Sequence, residues 1–297
     1  MKLSLALEWF LNPDHLPFIA GIQMGKYKQE GLDVVLIEPK EHYDGFKDLH
    51  DGKIDIHINE PLHLFEHHFE GIKSLGCFFE TNGGVMVKAS RLHNLKNNED
   101  FVITTPASNE TTNTIGFEIL NRYAKKEGFT LNKKNIKFIQ TDFYHLKNLK
   151  KIQFDAAWLC FYNFEAIEAQ YEDFNHIFID HTLSPYPNFS ALELMTTQKI
   201  ISEKKEALKS FIKVTEYMIE FCKAYPEKAR ELYYEYSNTS RSELTNRIIE
   251  NTLTRFEESI KSDAKRWKDV YNFLHELNLV HLTNNEYDNI FDIKELL

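Results

Sequence analysis

A short segment near the start of the chain combines a carboxylate, aromatic rings and an imidazole. It reads Glu8-Trp9-Phe10-Leu11-Asn12-Pro13-Asp14-His15-Leu16-Pro17 and directly follows an alternating strand pattern. Trp9 or Phe10 could stack on a flat ligand, while Glu8 or His15 could hydrogen-bond it. Alternatively, Trp9 packs into the core and Asp14 caps the helix that follows. The segment by itself leaves both interpretations open.

A second group of residues that could do chemistry consists of His57, His63, His67 and His68. His63 and His67 share one face of a helix because they are four positions apart, and that spacing suits a transition metal. The segment also matches the H-x-x-E-H pattern of inverted zincins. No third ligand is evident, so we expect no metal. A single ligand-facing imidazole at His63 is the preferred interpretation.

A third candidate segment reads Trp158-Leu159-Cys160-Phe161-Tyr162-Asn163-Phe164-Glu165. The pattern predicts that a strand ends here and a helix begins, with Asn163 as its cap. The Glu165 carboxylate could accept a pair of N–H groups from an amidine-like ligand edge. Equally, the helix dipole favours a carboxylate in the first turn without any ligand. Cys160 is expected to be a buried small residue, since no base lies beside it.

The segment from Pro106 to Thr112 joins a predicted strand to a predicted helix. Its hydroxyl and backbone N–H groups could hold an anion, although helix capping by Ser, Asn and Thr explains the same residues. The chain has no Walker A, G-x-G-x-x-G or G-x-S-x-G pattern. A nucleoside triphosphate, a dinucleotide and a hydrolase serine are therefore not expected.

Alternating strands and helices must position these segments. Strands are predicted at 2–7, 33–37, 54–58, 83–87, 101–104, 136–139, 154–159, 176–179 and 191–195. Helices are predicted up to Gly31 and at 43–50, 61–69, 111–126, 163–171, 203–223, 226–236, 241–259 and 262–277. This alternation predicts an α/β fold with mainly parallel, doubly wound sheets. Such sheets bind ligands at the carboxyl ends of their strands.

Two polar crossings divide the pattern into two lobes. The first is predicted at Lys88–Asp100 and the second at the turn Ser184-Pro185-Tyr186-Pro187. Residues 1–90 and 190–297 then form the first lobe, with a helical C-terminal part, and residues 91–189 form the second. This architecture predicts a ligand cleft between the lobes that closes by hinge motion.

The composition argues against several classes of partner. The formal charge is −10 and the pI is about 5.7, which disfavours nucleic acid and an anionic membrane surface. Three separated cysteines predict neither a disulfide framework nor a zinc site, and no apolar run is long enough for membrane insertion. No signal-peptide pattern precedes Glu8. We therefore expect a cytoplasmic protein, or a periplasmic or cell-surface one if a leader was trimmed.

Taken together, these residues resemble one family. Glu8-Trp9-Phe10-x-Asn12-Pro13-Asp14-His15-x-Pro17, followed by Gly25-Lys26-Tyr27-Lys28-Gln29-Glu30-Gly31-Leu32-Asp33-Val34, resembles the opening of the thiamine-pyrimidine branch of periplasmic-type binding proteins. This branch includes ThiY-like binding proteins and the fungal thiamine pyrimidine synthases. Further matches occur in the same order at 52–56, 61–64, 163–165, 185–186, 224–229 and 266–268. The resemblance implies a bilobal, type II periplasmic-binding-protein-like fold with two doubly wound mixed sheets and a ligand cleft between the lobes.

The resemblance also implies roles for individual residues. Trp9 and His15 would line a pyrimidine site, and His63 would face the cleft. Glu165 would hold the aminopyrimidine edge and Tyr186 would close the pocket. The ligand-binding set expected on this basis is Glu8, Trp9, His15, Asn59, His63, Tyr162, Glu165 and Tyr186.

Two departures from the family separate binding from synthesis. The fungal synthases use a pyridoxal-phosphate lysine four residues before the histidine that donates ring atoms. In this chain the residue four positions before His63 is Asn59, which cannot form a Schiff base. Those enzymes also carry a cysteine cluster after the return crossing, where this chain has no cysteine between 186 and 192. We therefore expect no cofactor; pyridoxal phosphate and iron, with His63 as catalytic residue, belong to the synthase alternative.

The expected function is binding of a thiamine pyrimidine precursor, hydroxymethylpyrimidine or formylaminopyrimidine, in thiamine biosynthesis or salvage. The first alternative is a synthase that makes the pyrimidine phosphate from pyridoxal phosphate and histidine. The second is an ABC-transporter binding protein for another small heterocycle or an organosulfonate, although Glu8 and Glu165 would repel an anion. The expected partners are the aminopyrimidine and, for a transport role, a permease.

Overall fold

The structure, a computed structural model, describes residues 1–39 and 45–293. In these residues the strands are β1 (Lys2–Ala6), β2 (Asp33–Ile37), β3 (Ile56–Asn59), β4 (Ile72–Glu80), β5 (Gly83–Lys88), β6 (Phe101–Thr105), β7 (Ile136–Gln140), β8 (Ala156–Phe161), β9 (His176–Ile179) and β10 (Ala191–Thr197). The α-helices are α1 (Leu16–Gln23), α2 (Lys26–Gln29), α3 (Gly45–His50), α4 (Leu62–Glu66), α5 (Leu92–Lys96), α6 (Glu110–Glu127), α7 (His145–Leu149), α8 (Ile167–Tyr171), α9 (Gln198–Ala224), α10 (Pro226–Ser237), α11 (Glu243–Leu253), α12 (Ala264–Glu276) and α13 (Asn284–Phe291). No helix among the described residues is long and apolar enough to cross a membrane.

The chain divides into two compact units. Unit 1 comprises Met1–Glu80, Ala191–Tyr271 and the residues from Val280 onward, and unit 2 comprises Thr81–Ser190 and Asn272–Leu279. The sequence analysis placed the first boundary after residue 90, which is wrong because β5 pairs with β8 and β9 in the sheet of unit 2. It also assigned 272–279 to the first lobe. This segment belongs to unit 2, where the Phe273 ring packs against Tyr186 and Arg122.

Unit 1 contains a five-stranded sheet in the order β2-β1-β3-β10-β4. β1 runs parallel to β2 and β3, whereas β10 runs antiparallel between β3 and β4. The sheet is therefore mixed, as the family resemblance implies, and not mainly parallel as the alternation alone predicts. β4 is not predicted from the sequence, because this strand is buried on both faces and lacks the alternation that marks a half-buried strand.

The core of unit 1 lies between this sheet and the helices α1, α2 and α9. The ring of Phe18 stacks on that of Phe211 at a centroid distance of 6.0 Å, and Tyr27 stacks on Phe211 at 5.5 Å. The Tyr27 hydroxyl is 2.8 Å from Thr215 Oγ1, which satisfies a buried polar group. α9 begins at Gln198, ahead of the predicted 203, because the Thr197 hydroxyl caps its first turn.

Unit 2 repeats the same sheet pattern in the order β7-β6-β8-β5-β9. β6 is parallel to β7 and β8, and β5 is antiparallel to β8 and β9. In the segment from Pro106 to Thr112, Asn109 Oδ1 accepts the Thr112 N–H at 2.9 Å, and the Thr112 hydroxyl oxygen accepts the Asn109 N–H. This capping box supports the capping interpretation of that segment.

Several predicted helices differ in extent from the observed ones. The predicted helix 43–50 is observed as α3, and Tyr43 and Asp44 lie outside the described residues. The predicted helix 61–69 ends at Glu66, because His67 leaves helical geometry. The predicted helix 241–259 ends at Leu253. The sequence analysis missed the short helices α5 and α7, and it missed α13 near the C-terminus.

Candidate functional site

The loop after β1 is organised by a side-chain cap. Asn12 Oδ1 accepts the Asp14 N–H at 2.8 Å and so begins a 3-10 turn over Pro13–His15 that leads into α1. Asn12, and not Asp14, therefore supplies the cap that the sequence suggested. The Trp9 ring is only partly buried and lies 5.5 Å from the ring of Phe10, which is 52% exposed. Trp9 is thus partly exposed and is not a core residue.

Glu8 and His15 form a close pair at this strand end. His15 Nε2 lies 3.1 Å from each carboxylate oxygen of Glu8, and the His15 ring is fully buried. The backbone N–H of Asn12 donates to His15 Nδ1 at 3.2 Å, so the neutral ring carries its proton on Nε2 and donates it to Glu8. Burial lowers the pKa of His15, but Glu8, with smaller contributions from Asp14 and Glu38, outweighs burial and the pKa is raised overall.

The neighbouring strand end is that of β3, which is parallel to β1 and pairs Ala6 with His57. Asn59 is buried, and its amide nitrogen lies 3.1 Å from His57 Nε2. Asn59 Oδ1 accepts the Glu60 N–H at 2.8 Å, and His57 Nδ1 lies 3.2 Å from the Ala6 carbonyl oxygen. These bonds give Asn59 an anchoring role at the strand end. Its assignment as a ligand residue stays a prediction.

Glu60, the first residue after β3, is a candidate that the sequence analysis missed. Its carboxylate lies 3.7 Å from His63 Nε2 on α4, and the side chains of Glu60 and His63 are 18% and 39% exposed. Burial raises the pKa of Glu60 to about 8, and the negative charge of Glu8 adds to the rise. Its position after a predicted strand could have identified Glu60, since Glu8 and Glu60 follow adjacent parallel strands and so share one sheet edge.

We call Glu8, His15, Glu60 and His63 the strand-end cluster. It places two carboxyl groups and two imidazoles at the carboxyl ends of β1 and β3, beside the partly exposed Trp9 ring. Of the other histidines, His57 is buried, whereas His68 Nδ1 lies 3.6 Å from Glu286. Within the described residues, no group of three or more His, Cys, Asp or Glu side chains is arranged to hold a metal ion.

The corresponding strand end in unit 2 has unusual backbone geometry. Leu159 in β8 has a φ of +64°, next to a register shift in its pairing with β5. A π-helical turn follows over Tyr162–Ala166, and such turns are frequent at functional sites. Bulges at strand ends likewise re-aim the side chains that follow them. The strand ends at Phe161, two residues later than predicted from 154–159, and the turn begins directly after it.

Three candidate side chains lie in this π-helical turn. Glu165 Oε2 accepts the Phe161 N–H at 2.7 Å, so it caps the turn as the helix-dipole interpretation requires. The predicted cap Asn163 is instead fully buried and accepts the Thr81 hydroxyl at 2.8 Å. Tyr162 packs its ring 5.7 Å from that of Phe178, and its hydroxyl accepts from Gln170 at 3.3 Å. Ligand contacts by Glu165 and Tyr162 stay predictions.

Tyr186 is buried within unit 2. Its hydroxyl donates to the Gly83 carbonyl oxygen at 2.6 Å, and its ring packs 5.8 Å from that of Phe189. Burial raises the pKa of Tyr186, and the charge of Asp180 adds to this. These contacts join the start of β5 to the segment before β10. The structure therefore gives Tyr186 a structural role, and its role in closing a pocket stays a prediction.

Two mixed five-stranded sheets of identical pattern, with polar clusters at their parallel strand ends, define the periplasmic-binding-protein fold. A solved structure with this fold is the periplasmic aliphatic sulphonate binding protein of Escherichia coli. It superposes with a TM-score of 0.70 at 11% identity, over 98% of this chain and 92% of that one. At that identity the likeness concerns the fold alone.

The chain belongs to the family described as NMT1/THI5 like, whose model matches residues 12–229. A Haemophilus influenzae relative, named provisionally as a thiamine biosynthesis protein, is 24% identical over 94% of this chain and 88% of its own length. A Legionella pneumophila relative named 4-amino-5-hydroxymethyl-2-methylpyrimidine phosphate synthase is 20% identical over 99% of this chain and 90% of its own length. The family resemblance stated from the sequence is thereby confirmed.

Proposed function

We propose that the protein binds a thiamine pyrimidine precursor, hydroxymethylpyrimidine or formylaminopyrimidine. The strand-end cluster carries this proposal, because Glu8 and Glu60 follow neighbouring parallel strands and each lies beside an imidazole. The Trp9 ring offers a flat apolar surface next to these groups. A 4-aminopyrimidine is flat and presents both N–H donors and ring-nitrogen acceptors, which suit an indole, carboxyl groups and imidazoles. The names of the two relatives support the same ligand class.

Isothermal titration calorimetry with each compound tests this proposal. We expect a Kd in the micromolar range or tighter for at least one compound. Glu8→Ala should weaken binding by about tenfold or more, since the ligand loses a charged hydrogen-bond partner and His15 loses the group that orients it. Glu70→Ala is the matched control, because Glu70 is exposed and lies outside the cluster. Neither heat nor a thermal shift with either compound at millimolar concentration would overturn the proposal.

Synthesis of the pyrimidine is a second candidate, because the Legionella relative carries that name over nearly the whole chain. His63, the residue that would supply ring atoms, is partly exposed in the cluster. The residues present do not fit pyridoxal phosphate at position 59, however. Asn59 has no amine, and its amide is bonded to His57 and to the Glu60 backbone. We therefore favour binding without synthesis.

Absorbance and mass spectrometry separate the two candidates. Wild-type protein mixed with pyridoxal phosphate should show no more Schiff-base absorbance than the urea-unfolded protein, which offers the same lysine side chains without a folded site. After incubation with pyridoxal phosphate, iron and oxygen, the peptide containing His63 should keep its mass. A mass loss confined to that peptide would establish synthesis and displace the binding proposal.

An organosulfonate or another anion is the remaining alternative, and the charge of the cluster disfavours it. The cluster holds two carboxyl groups, and among the described residues neither is ion-paired with a lysine or arginine. A bound anion would therefore be repelled by the negative charge of Glu8. Calorimetry with a short alkanesulfonate, under the conditions used for the pyrimidines, should give no heat of binding.

A further inference from the structure

Glu60 combines burial with a position directly after a strand of the unit 1 sheet. It is largely buried, with 18% of its side chain exposed, and it directly follows β3. Among the described residues, its charged or titratable neighbours include Glu8 from the β1 loop and His63 from α4. Glu8 in turn pairs with His15, on which the charges of Asp14 and Glu38 also act. Among the described residues, no lysine or arginine forms an ion pair with Glu60.

Burial and the neighbouring Glu8 carboxylate both favour the neutral form of Glu60. Burial raises the pKa of Glu60 to about 8, with Glu8 adding to the rise. At neutral pH the carboxyl group therefore keeps its proton. A protonated carboxyl group has one O–H donor and one carbonyl acceptor side by side, whereas an ionised carboxylate has acceptors only.

A 4-aminopyrimidine presents the complementary pair on one edge. Its amino group donates an N–H, and the adjacent ring nitrogen accepts with its lone pair. A neutral carboxyl group can meet both atoms at once with two parallel hydrogen bonds. An ionised carboxylate would satisfy the amino group but would face the ring lone pair with a second lone pair, which is repulsive.

We propose that Glu60, acting as a neutral carboxylic acid, is the residue that selects a 4-aminopyrimidine over other flat heterocycles. It donates its O–H to the ring nitrogen and accepts an N–H from the amino group. This inference rests on the proposed function, since it names how that same site recognises its ligand. Glu60 is a specificity-determining residue and undergoes no chemical change.

Glutamine gives a sharp test, because its amide has the same donor and acceptor as a neutral carboxyl group but does not ionise near pH 8. Hydroxymethylpyrimidine is titrated into wild type, Glu60→Gln, Glu60→Leu and the exposed control Glu70→Gln at pH 7.0 and pH 9.5. Circular dichroism and thermal melting verify that each variant is folded. Protonation of the ligand is common to all four proteins and cancels in their ratios.

We expect Glu60→Gln to bind within about threefold of wild type at pH 7.0. At pH 9.5, wild type and Glu70→Gln should bind hydroxymethylpyrimidine about 30-fold more weakly than Glu60→Gln does. The reason is that only about 3% of Glu60 then stays protonated. Glu60→Leu should bind at least about tenfold more weakly than wild type at pH 7.0, having lost both hydrogen bonds. An analogue without the amino group keeps only the bond from the Glu60 O–H to the ring nitrogen, so Glu60→Leu should weaken its binding by a smaller factor than it weakens binding of hydroxymethylpyrimidine.

The outcomes that contradict the inference are distinct from those that contradict the proposed function. Binding by wild type that is lost in Glu60→Gln would mean that an ionised carboxylate recognises the ligand. Equal pH dependence in wild type and Glu60→Gln, or unchanged binding by Glu60→Leu, would also overturn the inference while leaving the proposed function intact. If folded wild type binds the compound at neither pH, the proposed function itself fails.

Discussion

His15 Nε2 lies 3.1 Å from both carboxylate oxygens of Glu8, while the backbone N–H of Asn12 donates to the opposite ring nitrogen. Both nitrogens of the buried ring therefore have fixed partners within one loop. Such a second layer of bonds orients the Glu8 carboxylate and limits the freedom it would lose on binding a ligand. The Glu8–His15 pair of the strand-end cluster is thus organised by the loop that carries it.

This pair predicts a measurable shift in the titration of His15. In wild type the pKa of His15 should lie above 6.5, because Glu8, together with Asp14 and Glu38, outweighs the opposing effect of burial. In Glu8→Gln the pKa should fall below 6.5, since burial then acts with little opposition. NMR titration of the His15 ring proton, assigned with a His15→Gln variant, provides the measurement. Glu38→Gln is the control and should shift the pKa less, because Glu38 contributes the weakest of the effects on His15.

The Glu8–His15 pair also determines how the free energy of unfolding changes with pH. The folded pKa of His15 is raised, so its stabilising contribution is fully present below about 6.5 and is lost as the pH rises through the folded pKa. Glu8→Gln should therefore lower the free energy of unfolding more at pH 5.5 than at pH 8.5. An equal loss at the two pH values would contradict this coupling.

A second prediction concerns the buried acid Glu193 on β10. Glu193 is fully buried and accepts the indole N–H of Trp267 at 2.6 Å and the hydroxyl of Ser74. Burial raises its pKa to about 7, above the ordinary 4.5. The folded state then holds a proton that the unfolded state releases at lower pH. The free energy of unfolding should therefore fall as the pH rises from about 4.5 to about 7.

Urea denaturation at pH 5 and pH 8 measures this effect. Glu193→Gln, which cannot ionise, should lose less stability between the two pH values than wild type does. Glu258→Gln is the matched control, because Glu258 is exposed, and it should follow wild type. Trp267→Phe should lower the free energy of unfolding by about 1–3 kcal/mol at both pH values, since a buried carboxyl oxygen loses its hydrogen-bond donor.

A third prediction concerns the hydroxyl of Tyr186. Tyr186→Phe should lower the free energy of unfolding by about 1–2 kcal/mol, because the Gly83 carbonyl oxygen loses its buried donor. Chemical denaturation checks the value, and Tyr144→Phe, an exposed tyrosine of the same unit, should show no change. Calorimetry on the same variant asks separately whether Tyr186 contacts the ligand. A stability equal to that of wild type would contradict the structural role.

A fourth prediction concerns Asn59. Asn59→Ala should destabilise the protein by about 1–3 kcal/mol, since its amide contacts His57 Nε2 and its carbonyl oxygen accepts the Glu60 N–H. Asn97→Ala, at an exposed position, serves as control in the same melting experiment. The pyrimidine affinity of Asn59→Ala should fall as well, because the Glu60 backbone loses its anchor. Unchanged stability would show that Asn59 is free to serve a ligand.

The sequence predicted most elements of both units, and its errors have physical causes. Regular alternation and helix signals located β1, β2, β9 and α10 to within one or two residues. β4 went unpredicted because burial on both faces removes alternation. The end of β8 was misplaced because Leu159 adopts a positive φ, which a leucine side chain does not signal.

The sequence predicted only part of the candidate site, because some of its residues are recognised by type and others by tertiary adjacency. Glu8, His15 and His63 could be selected by residue type, and the structure brings the first two together within one loop. Glu60 was missed because its significance depends on the adjacency of β1 and β3, which a single sequence does not display. Asn163 was misassigned as a cap because the chain enters a π-helical turn, where Glu165 reaches the free N–H instead.

The sequence by itself determined the α/β class, the family and the polar composition of the strand-end loops, because these depend on local pattern and residue type. Only the tertiary structure decided that β10 runs antiparallel between β3 and β4, and that β5 belongs to unit 2. It also decided the proton affinities of His15, Glu60 and Glu193. Those affinities depend on burial and, for Glu60, on the Glu8 charge that a neighbouring strand brings close, and burial is not encoded in any short stretch of the chain.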